Sequence, residues 1–324
     1  MIDVMKTVED KLVILDNDFE KGCWINLVNP SEEEILDVCK RTGILPAFIQ
    51  SALDEEERSH IETEDDQVLL LINIPFIKEE NNSLFFDTIP LGIIVTADAI
   101  VTVCLQNNPI ISGFMKGIDK SFYTFKKSRF ILQILYRTST TYLRFLKQIY
   151  RKINLTEGQL RESTRNEAVF RLLDLEKSLV YFTTSLCSNE VVMEKLMRPR
   201  LRGMDPDAEA ASRVLKFYPE DEELLEDVIT ENKQAIEMAN IYSNLLSGLM
   251  DAFASIISNN LNIVMRFLTS VTIIVALPTM VYSFFGMNVS LPIQHNPHAA
   301  LWIVGISVMI SIAATLVLWQ RRML

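Results

Sequence analysis

Beyond Arg266 this chain of 324 residues is almost without charge: the final 58 residues hold Arg321 and Arg322 and no Asp, Glu or Lys. Two stretches in this tail, 267–285 (FLTSVTIIVALPTMVYSFF) and 299–319 (AALWIVGISVMISIAATLVLW), carry no charge at all. Each is close to the ~20 residues that cross ~30 Å of hydrocarbon as a helix. Two buried helices of a soluble core are the alternative, and uninterrupted apolar runs of this length argue against it. The link between the runs, 286–298, has no Lys or Arg, whereas Arg266 precedes the first run and Arg321 and Arg322 follow the second. The positive-inside bias then puts both chain ends in the cytoplasm and the link outside, as a multi-pass anchor in the cell (inner) membrane. Trp302 and Trp319 fall near the two ends of the second span, where indoles favour the interface.

Removing the tail changes the reading of the rest. The chain has 31 basic and 42 acidic residues and a net charge of −11, yet its mean hydropathy is +0.19. The first 266 residues keep 29 of the basic and all 42 of the acidic residues, a balance of −13. An acidic body and a chargeless anchor exclude both a purely soluble enzyme and a carrier built mostly of membrane helices. The acidic balance also argues against nucleic acid as a partner. Cys23, Cys39, Cys104 and Cys187 are widely spaced, with no C-x-x-C pair, and read as reduced thiols of a cytosolic body.

Residues 1–115 alternate short β-branched runs (11–16, 23–28, 67–76, 91–97 and 99–105) with helical pattern, the signature of an α/β module around a sheet. Ser31-Glu32-Glu33-Glu34 is a capping box that opens a helix. Over 116–218 the period turns helical. It predicts an antiparallel helix pair, broken at 197–207 by Pro199, Gly203 and Pro206. From Pro219 no proline intervenes until Pro278. A stalk helix over 219–266 is therefore expected to continue into the first span, 267–288. An outer loop (289–298), the second span (299–319) and a basic C-terminus (320–324) complete the chain. A helix of ~65 residues would be ~100 Å long and needs partners in water.

The long helix carries a polar stripe. Steps of three and four back from Ser283 reach Thr279, Ala276, Thr272, Thr269, Met265, Asn262, Ser258, Ser255 and Asp251. The series continues through Gly248, Asn244, Ile241, Glu237, Gln234 and Thr230 to Asp227. Only Ile241 and Met265 are neither polar nor small. Such a heptad seam points all its members at a common axis when helices bundle. Two readings fit. Small and hydroxyl residues let membrane helices pack closely, or the seam lines a water-filled pore of a homo-oligomer with acidic rings that attract cations. In a pore, Met265 and Leu268 can close the cytosolic mouth by dewetting.

The first span ends in Gly286-Met287-Asn288. Glycine with φ > 0 can stop a helix there and leave the Asn288 amide oxygen facing the axis. A ring of neutral hard oxygens suits Mg²⁺, which sheds its waters reluctantly. At the outer end of the first of two C-terminal spans, behind a long stalk, this tripeptide resembles the signature of the CorA family of magnesium channels. The segment 52–75 (ALDEEERSHIETEDDQVLLLINIP) and the order of elements are similar to that family as well.

The resemblance implies an α/β/α body, a helical stalk and a two-helix transmembrane hairpin, assembled as a homopentameric funnel. It implies Asn288 as the contact for hydrated Mg²⁺, with Gly286 and Met287 shaping the filter. Asn262, Met265, Leu268, Thr269 and Thr279 fall at pore positions, to which the stripe adds Thr272 and Ser283. Asp227 falls at the stalk carboxylate that binds regulatory Mg²⁺ between subunits. Asp251 would form an acidic ring in the cytosolic pore, and Glu237 lies on the same seam. Phe285 stands where the family usually has tyrosine, and the outer link has no acidic residue.

The implied activity is Mg²⁺ influx, with Co²⁺ and Ni²⁺ as further candidates, gated closed by cytosolic Mg²⁺. Mg²⁺ is then cargo and regulator, no cofactor or catalysis is expected, and the partners are self, lipid and divalent cations. A Zn²⁺ or other transition-metal transporter of the same fold is one alternative, and a non-conducting membrane-anchored scaffold or Mg²⁺ sensor is another. His295 and His298 form an H-x-x-H in the outer link, which reads as two exposed loop histidines as well as a ligand pair. The acidic runs 54–57, 62–66 and 220–223 read as solvated faces.

Overall fold

The computed structural model describes residues 1–9, 11–15, 19–80, 83–116, 122–162, 166–197, 215, 217–288 and 298–321. These fall into two compact units, Met1–Ser247 and Gly248–Leu324. The expected break at 197–207 (apart from Met197), residues 289–297 of the outer loop, with His295, and Arg322 lie outside the described residues.

The first unit is built on strands β1 (Ile2–Val8), β2 (Lys11–Leu15), β3 (Cys23–Val28), β4 (His60–Glu64), β5 (Gln67–Glu80), β6 (Ser83–Val95) and β7 (Ala99–Cys104). They form one sheet in the order β2-β1-β3-β7-β6-β5-β4. Among the described residues β3 and β7 are the one parallel pair; the other pairs are antiparallel. Central strands are apolar on both faces because both faces are covered. Along β5, Val68, Leu70 and Ile72 belong to one core, while Leu69 and Leu71 belong to the other.

Helices α1 (Glu32–Thr42) and α2 (Pro46–Ala52) supply Val38, Phe48, Ile49 and Ala52 to the second of these cores. Helices α3 (Pro109–Met115), α4 (Lys127–Glu162) and α5 (Asn166–Met197) supply Phe114, Phe130, Ile131, Leu135, Val192 and Met193 to the first. The result is an α/β/α sandwich. Trp24 stands at the centre of the first core, edge-on to Phe122 and Phe130. Its indole N–H is satisfied by Thr102 Oγ1 at 2.9 Å on the neighbouring parallel strand.

The capping box at α1 forms as the sequence predicts. Glu34 N donates to Ser31 Oγ (3.2 Å) and Ser31 N to Glu34 Oε2 (2.9 Å). The Ser31 N–H bond, together with the Met1 ammonium at 3.0 Å, favours the ionised form and holds the Glu34 carboxyl below the usual carboxylate range. Gly43 ends the helix at φ +72°, a conformation that costs glycine no Cβ clash. Helices α4 and α5 are antiparallel: Tyr142 meets Phe182 at one level, and Arg171 Nη1 reaches Gln159 Oε1 further along. The four cysteines are free, and burial raises the thiol pKa values of Cys104 and Cys23.

One polar contact fixes α5 on the sheet. Strand β4 pairs with β5 only as far as Leu71, so Asn73 lies on a bare edge of β5. Pro90, which has no N–H, stands opposite Asn73 on β6. The Asn73 backbone therefore turns to the edge, where the fully buried Asn189 of α5 takes the place of a strand. Asn189 Oδ1 accepts from Asn73 N (2.9 Å) and Ser59 Oγ (2.7 Å), and its Nδ2 donates to Asn73 O (2.8 Å). Replacing Asn189 by alanine leaves two donors, Asn73 N and Ser59 Oγ, without their acceptor, while Asn73 O keeps the Tyr142 hydroxyl at 2.9 Å. The expected cost is about 2–4 kcal/mol, read as a lower midpoint in thermal or denaturant unfolding.

Candidate functional site

Helix α6 (Pro219–Phe285) is continuous for 67 residues and takes Pro278 into its interior. At its start Arg129 of α4 reaches both Glu220 (3.3 Å) and Asp221 (3.8 Å). Asp221, almost fully buried, also accepts from Tyr218 N at 3.1 Å and so caps the helix.

Within the first unit α6 presents two opposite seams. Leu225, Val228, Asn232, Ala235, Ala239 and Leu246 are buried against the body, and Tyr242 stacks on Tyr150 of α4 with centroids 4.9 Å apart. On the far side Asp227, Thr230, Gln234, Glu237, Ile241 and Asn244 are all exposed. In the second unit every member of the stripe, from Gly248 and Asp251 to Thr279 and Ser283, is exposed as well. The single protomer thus buries none of the stripe.

The membrane-length part of α6 and helix α7 (Ala299–Gln320) are long and apolar enough to span a bilayer. Ser270, absent from the stripe, and Ser307 of α7 are buried. Small residues at buried positions allow close helix approach. Packing between helices of one protomer therefore accounts for Ser270 and Ser307 and not for the stripe. Leu268 is 57% exposed but sits one residue off the seam, about 100° round the helix.

The three threonine hydroxyls of the stripe in this segment share one bonding pattern. Thr269 Oγ1 donates to Met265 O (2.7 Å), Thr272 Oγ1 to Leu268 O (2.8 Å) and Thr279 Oγ1 to Val275 O (3.0 Å). Each proton is used on the helix backbone, which leaves the oxygen lone pairs as acceptors. Acceptors of this kind suit the outward-pointing hydrogens of a hydrated cation.

At the end of α6 the structure corrects one expectation. Gly286 does not take a positive φ. The turn closes with Gly286 N donating to Tyr282 O (2.9 Å) and Met287 N to Phe284 O (3.4 Å). What glycine provides here is space, since a Cβ would lie 3.1 Å from Tyr282 O and force that carbonyl to give way. Met287 and Asn288 follow, both exposed.

The acidic candidates Asp227, Glu237 and Asp251 are exposed and far apart in sequence. Among the described residues no three His, Cys, Asp or Glu side chains of one protomer gather as a metal site. His298 precedes α7 without a side-chain cap.

Comparison with known proteins decides the family. The family model described as CorA-like Mg²⁺ transporter protein matches residues 19–322. The chain belongs to the CorA family. It is 27% identical over 328 residues to the cobalt/magnesium transport protein CorA of Methanocaldococcus jannaschii, covering 97% of this chain and 95% of that one. The complete structure of the CorA magnesium transporter from M. jannaschii superposes with a TM-score of 0.82 at 26% identity, covering 98% of this chain and 96% of that one. The soluble domain of the same organism's CorA matches with a TM-score of 0.64 at 25% identity, over 78% of this chain and 95% of that one. The CorA likeness thus extends over the body and both apolar helices.

Proposed function

We propose that this CorA-family chain is the protomer of a Mg²⁺ channel that also admits Co²⁺, in line with the cobalt/magnesium name of its M. jannaschii relative. The observation that carries the reading is the fully exposed polar seam of α6 leading to Gly286-Met287-Asn288. A homopentameric funnel with the seams turned inward would convert that exposed stripe into a conduit. Asn288 would hold hydrated Mg²⁺ at the outer mouth, with Gly286 and Met287 shaping the loop. Asn262, Met265, Leu268, Thr269, Thr272, Thr279 and Ser283 would line or gate the path, and Asp251 and Glu237 would form cytosolic carboxylate rings. The body and both chain ends lie on the cytosolic side in this reading, and the membrane potential drives the ion inward.

Gating is negative feedback. Cytosolic Mg²⁺ bridges carboxylates such as Asp227 between subunits and holds the assembly closed. When it leaves, like charges on acidic bodies repel. A single exposed carboxylate binds Mg²⁺ weakly, and a contact between subunits supplies the remaining ligands.

The test is Mg²⁺ entry into proteoliposomes at graded internal Mg²⁺. Entry should be rapid at low internal Mg²⁺ and should fall as internal Mg²⁺ rises. Stronger flux of Zn²⁺ than of Mg²⁺ in direct competition would favour the transition-metal alternative. No flux of any divalent cation would favour a scaffold or sensor.

A further inference from the structure

The buried seam of α6 contains one residue that does not belong in an apolar contact. Positions 225, 228, 232, 235, 239, 242 and 246 follow the alternating three- and four-residue spacing of a heptad core. They are Leu, Val, Asn, Ala, Ala, Tyr and Leu. Asn232 has no exposed surface. Its Nδ2 donates to Leu186 O of α5 at 3.1 Å, while its Oδ1 has no hydrogen-bond partner among the described residues. Next to it Lys233 pairs with Glu190, one turn further along α5, at 3.7 Å.

An apolar side chain at 232 would bury no unpaired acceptor, so asparagine weakens the contact it sits in. In heptad interfaces a single buried asparagine of this kind fixes register at a cost in stability. The geometry here has the same logic. Leu, Val and Ala neighbours tolerate an axial slide, because one apolar contact replaces another, whereas the Tyr242–Tyr150 stack and the Arg129 and Lys233 ion pairs oppose it at more open positions. The buried bond to Leu186 O does not tolerate it, since a slide of one helical turn, about 5.4 Å, breaks that bond. The small Ala235 and Ala239 below it give little resistance of their own.

We propose that Asn232 is the register pin of α6, a positioning residue that fixes the axial place of the helix on α5. Asn232 and the Gly286-Met287-Asn288 turn are joined by one unbroken helix. This inference rests on the feedback reading above for its functional consequence, but not for its structural one.

The experiment uses the full-length chain with Asn232→Leu, and with Asn232→Ala as a second variant whose side chain already fits this seam at 235 and 239. Both should assemble as the wild type does, and the leucine variant should melt roughly 2–4 °C higher or unchanged. Amide hydrogen exchange over 225–246 should quicken in both. The internal Mg²⁺ needed for half-inhibition of flux should rise at least about threefold, by mass action on a closed register less strongly favoured. A residue with a merely structural role would lower the melting temperature and leave the Mg²⁺ response unmoved. Exchange and inhibition curves that superpose on the wild type would overturn the pin. Absence of Mg²⁺ inhibition in the wild type would remove the feedback reading alone, and the exchange measurement would still decide the pin.

Discussion

Asn288→Ala is expected to cut Mg²⁺ entry by at least roughly a hundredfold while the protein assembles and inserts as before. The size follows from a ring geometry. Each amide contributes about 0.5–1.5 kcal/mol through its hydrogen bond to the hydrated ion, and the loss is multiplied by the number of subunits that share the site. Since about 1.4 kcal/mol is a factor of ten, five such losses of about 1 kcal/mol each in the proposed pentamer exceed a hundredfold fall. The side chain is exposed beyond the last turn of α6, so truncation removes no packing and should leave thermal stability within about 0.5 kcal/mol. Asn288→Asp separates affinity from throughput. A carboxylate ring binds Mg²⁺ more tightly and releases it more slowly, so half-saturation should fall together with maximal flux. Flux in proteoliposomes loaded with a Mg²⁺-sensitive dye reads both variants, and normal entry through Asn288→Ala would sink the filter role.

Asp227→Ala should raise the internal Mg²⁺ needed for half-inhibition at least about tenfold. The carboxylate lies on the exposed seam of α6, on the side away from the body, the face that the proposed assembly would turn to a neighbouring subunit. Losing one ligand of a shared hard-cation site removes charge that Mg²⁺ requires. Asp227→Lys sharpens the test. A fixed ammonium at this place stands in for the bound cation and relieves repulsion between acidic surfaces, so flux should be low at every internal Mg²⁺. An unchanged inhibition curve in Asp227→Ala would move the regulatory site elsewhere.

What could be read from the residues depended on how much apolar contrast each element carries. The capping box at Ser31 and Glu34 and the runs at 23–28 and 99–105 were legible because their burial is one-sided or complete. Strand β4, HIETE, buries only Ile61 and carries two glutamates, so its pattern is that of a solvated charge run. Strand β1 interleaves Asp3 and Lys6 with its apolar residues, and β6 contains Asp87 and Pro90. None of these looks like a core strand in isolation. Helices α2 and α3 have seven residues each, too short for a 3.6-residue period to stand out. The order of the strands depends on long-range pairing that no local pattern encodes.

The stripe was legible because its repeat persists over many turns. Its exposure was not: between Asp227 and Asn244 the stripe is the open face of a helix whose opposite face is buried against the body. Gly286 was legible as a helix end but for the wrong reason, since its need is clearance from Tyr282 O and not a left-handed φ. Asn232 escaped notice because a polar residue on a helix reads as solvent-facing until the opposite face is seen to be the wet one.

The exposed seam also has a handedness. An undistorted α-helix has 3.6 residues per turn, so a seven-residue repeat slips by about 20° per heptad. Eight heptads separate Asp227 from Ser283, and on a straight α6 the seam would swing roughly 160° between them. Straight parallel helices could therefore not turn both Asp227 and Ser283 to one axis. Copies of α6 that do so must coil round one another in the left-handed sense. In such an assembly the radius at Met265 and Thr269 would follow the torsion of the whole bundle, and a small unwinding at the cytosolic end would rotate those side chains without breaking the helix that carries them.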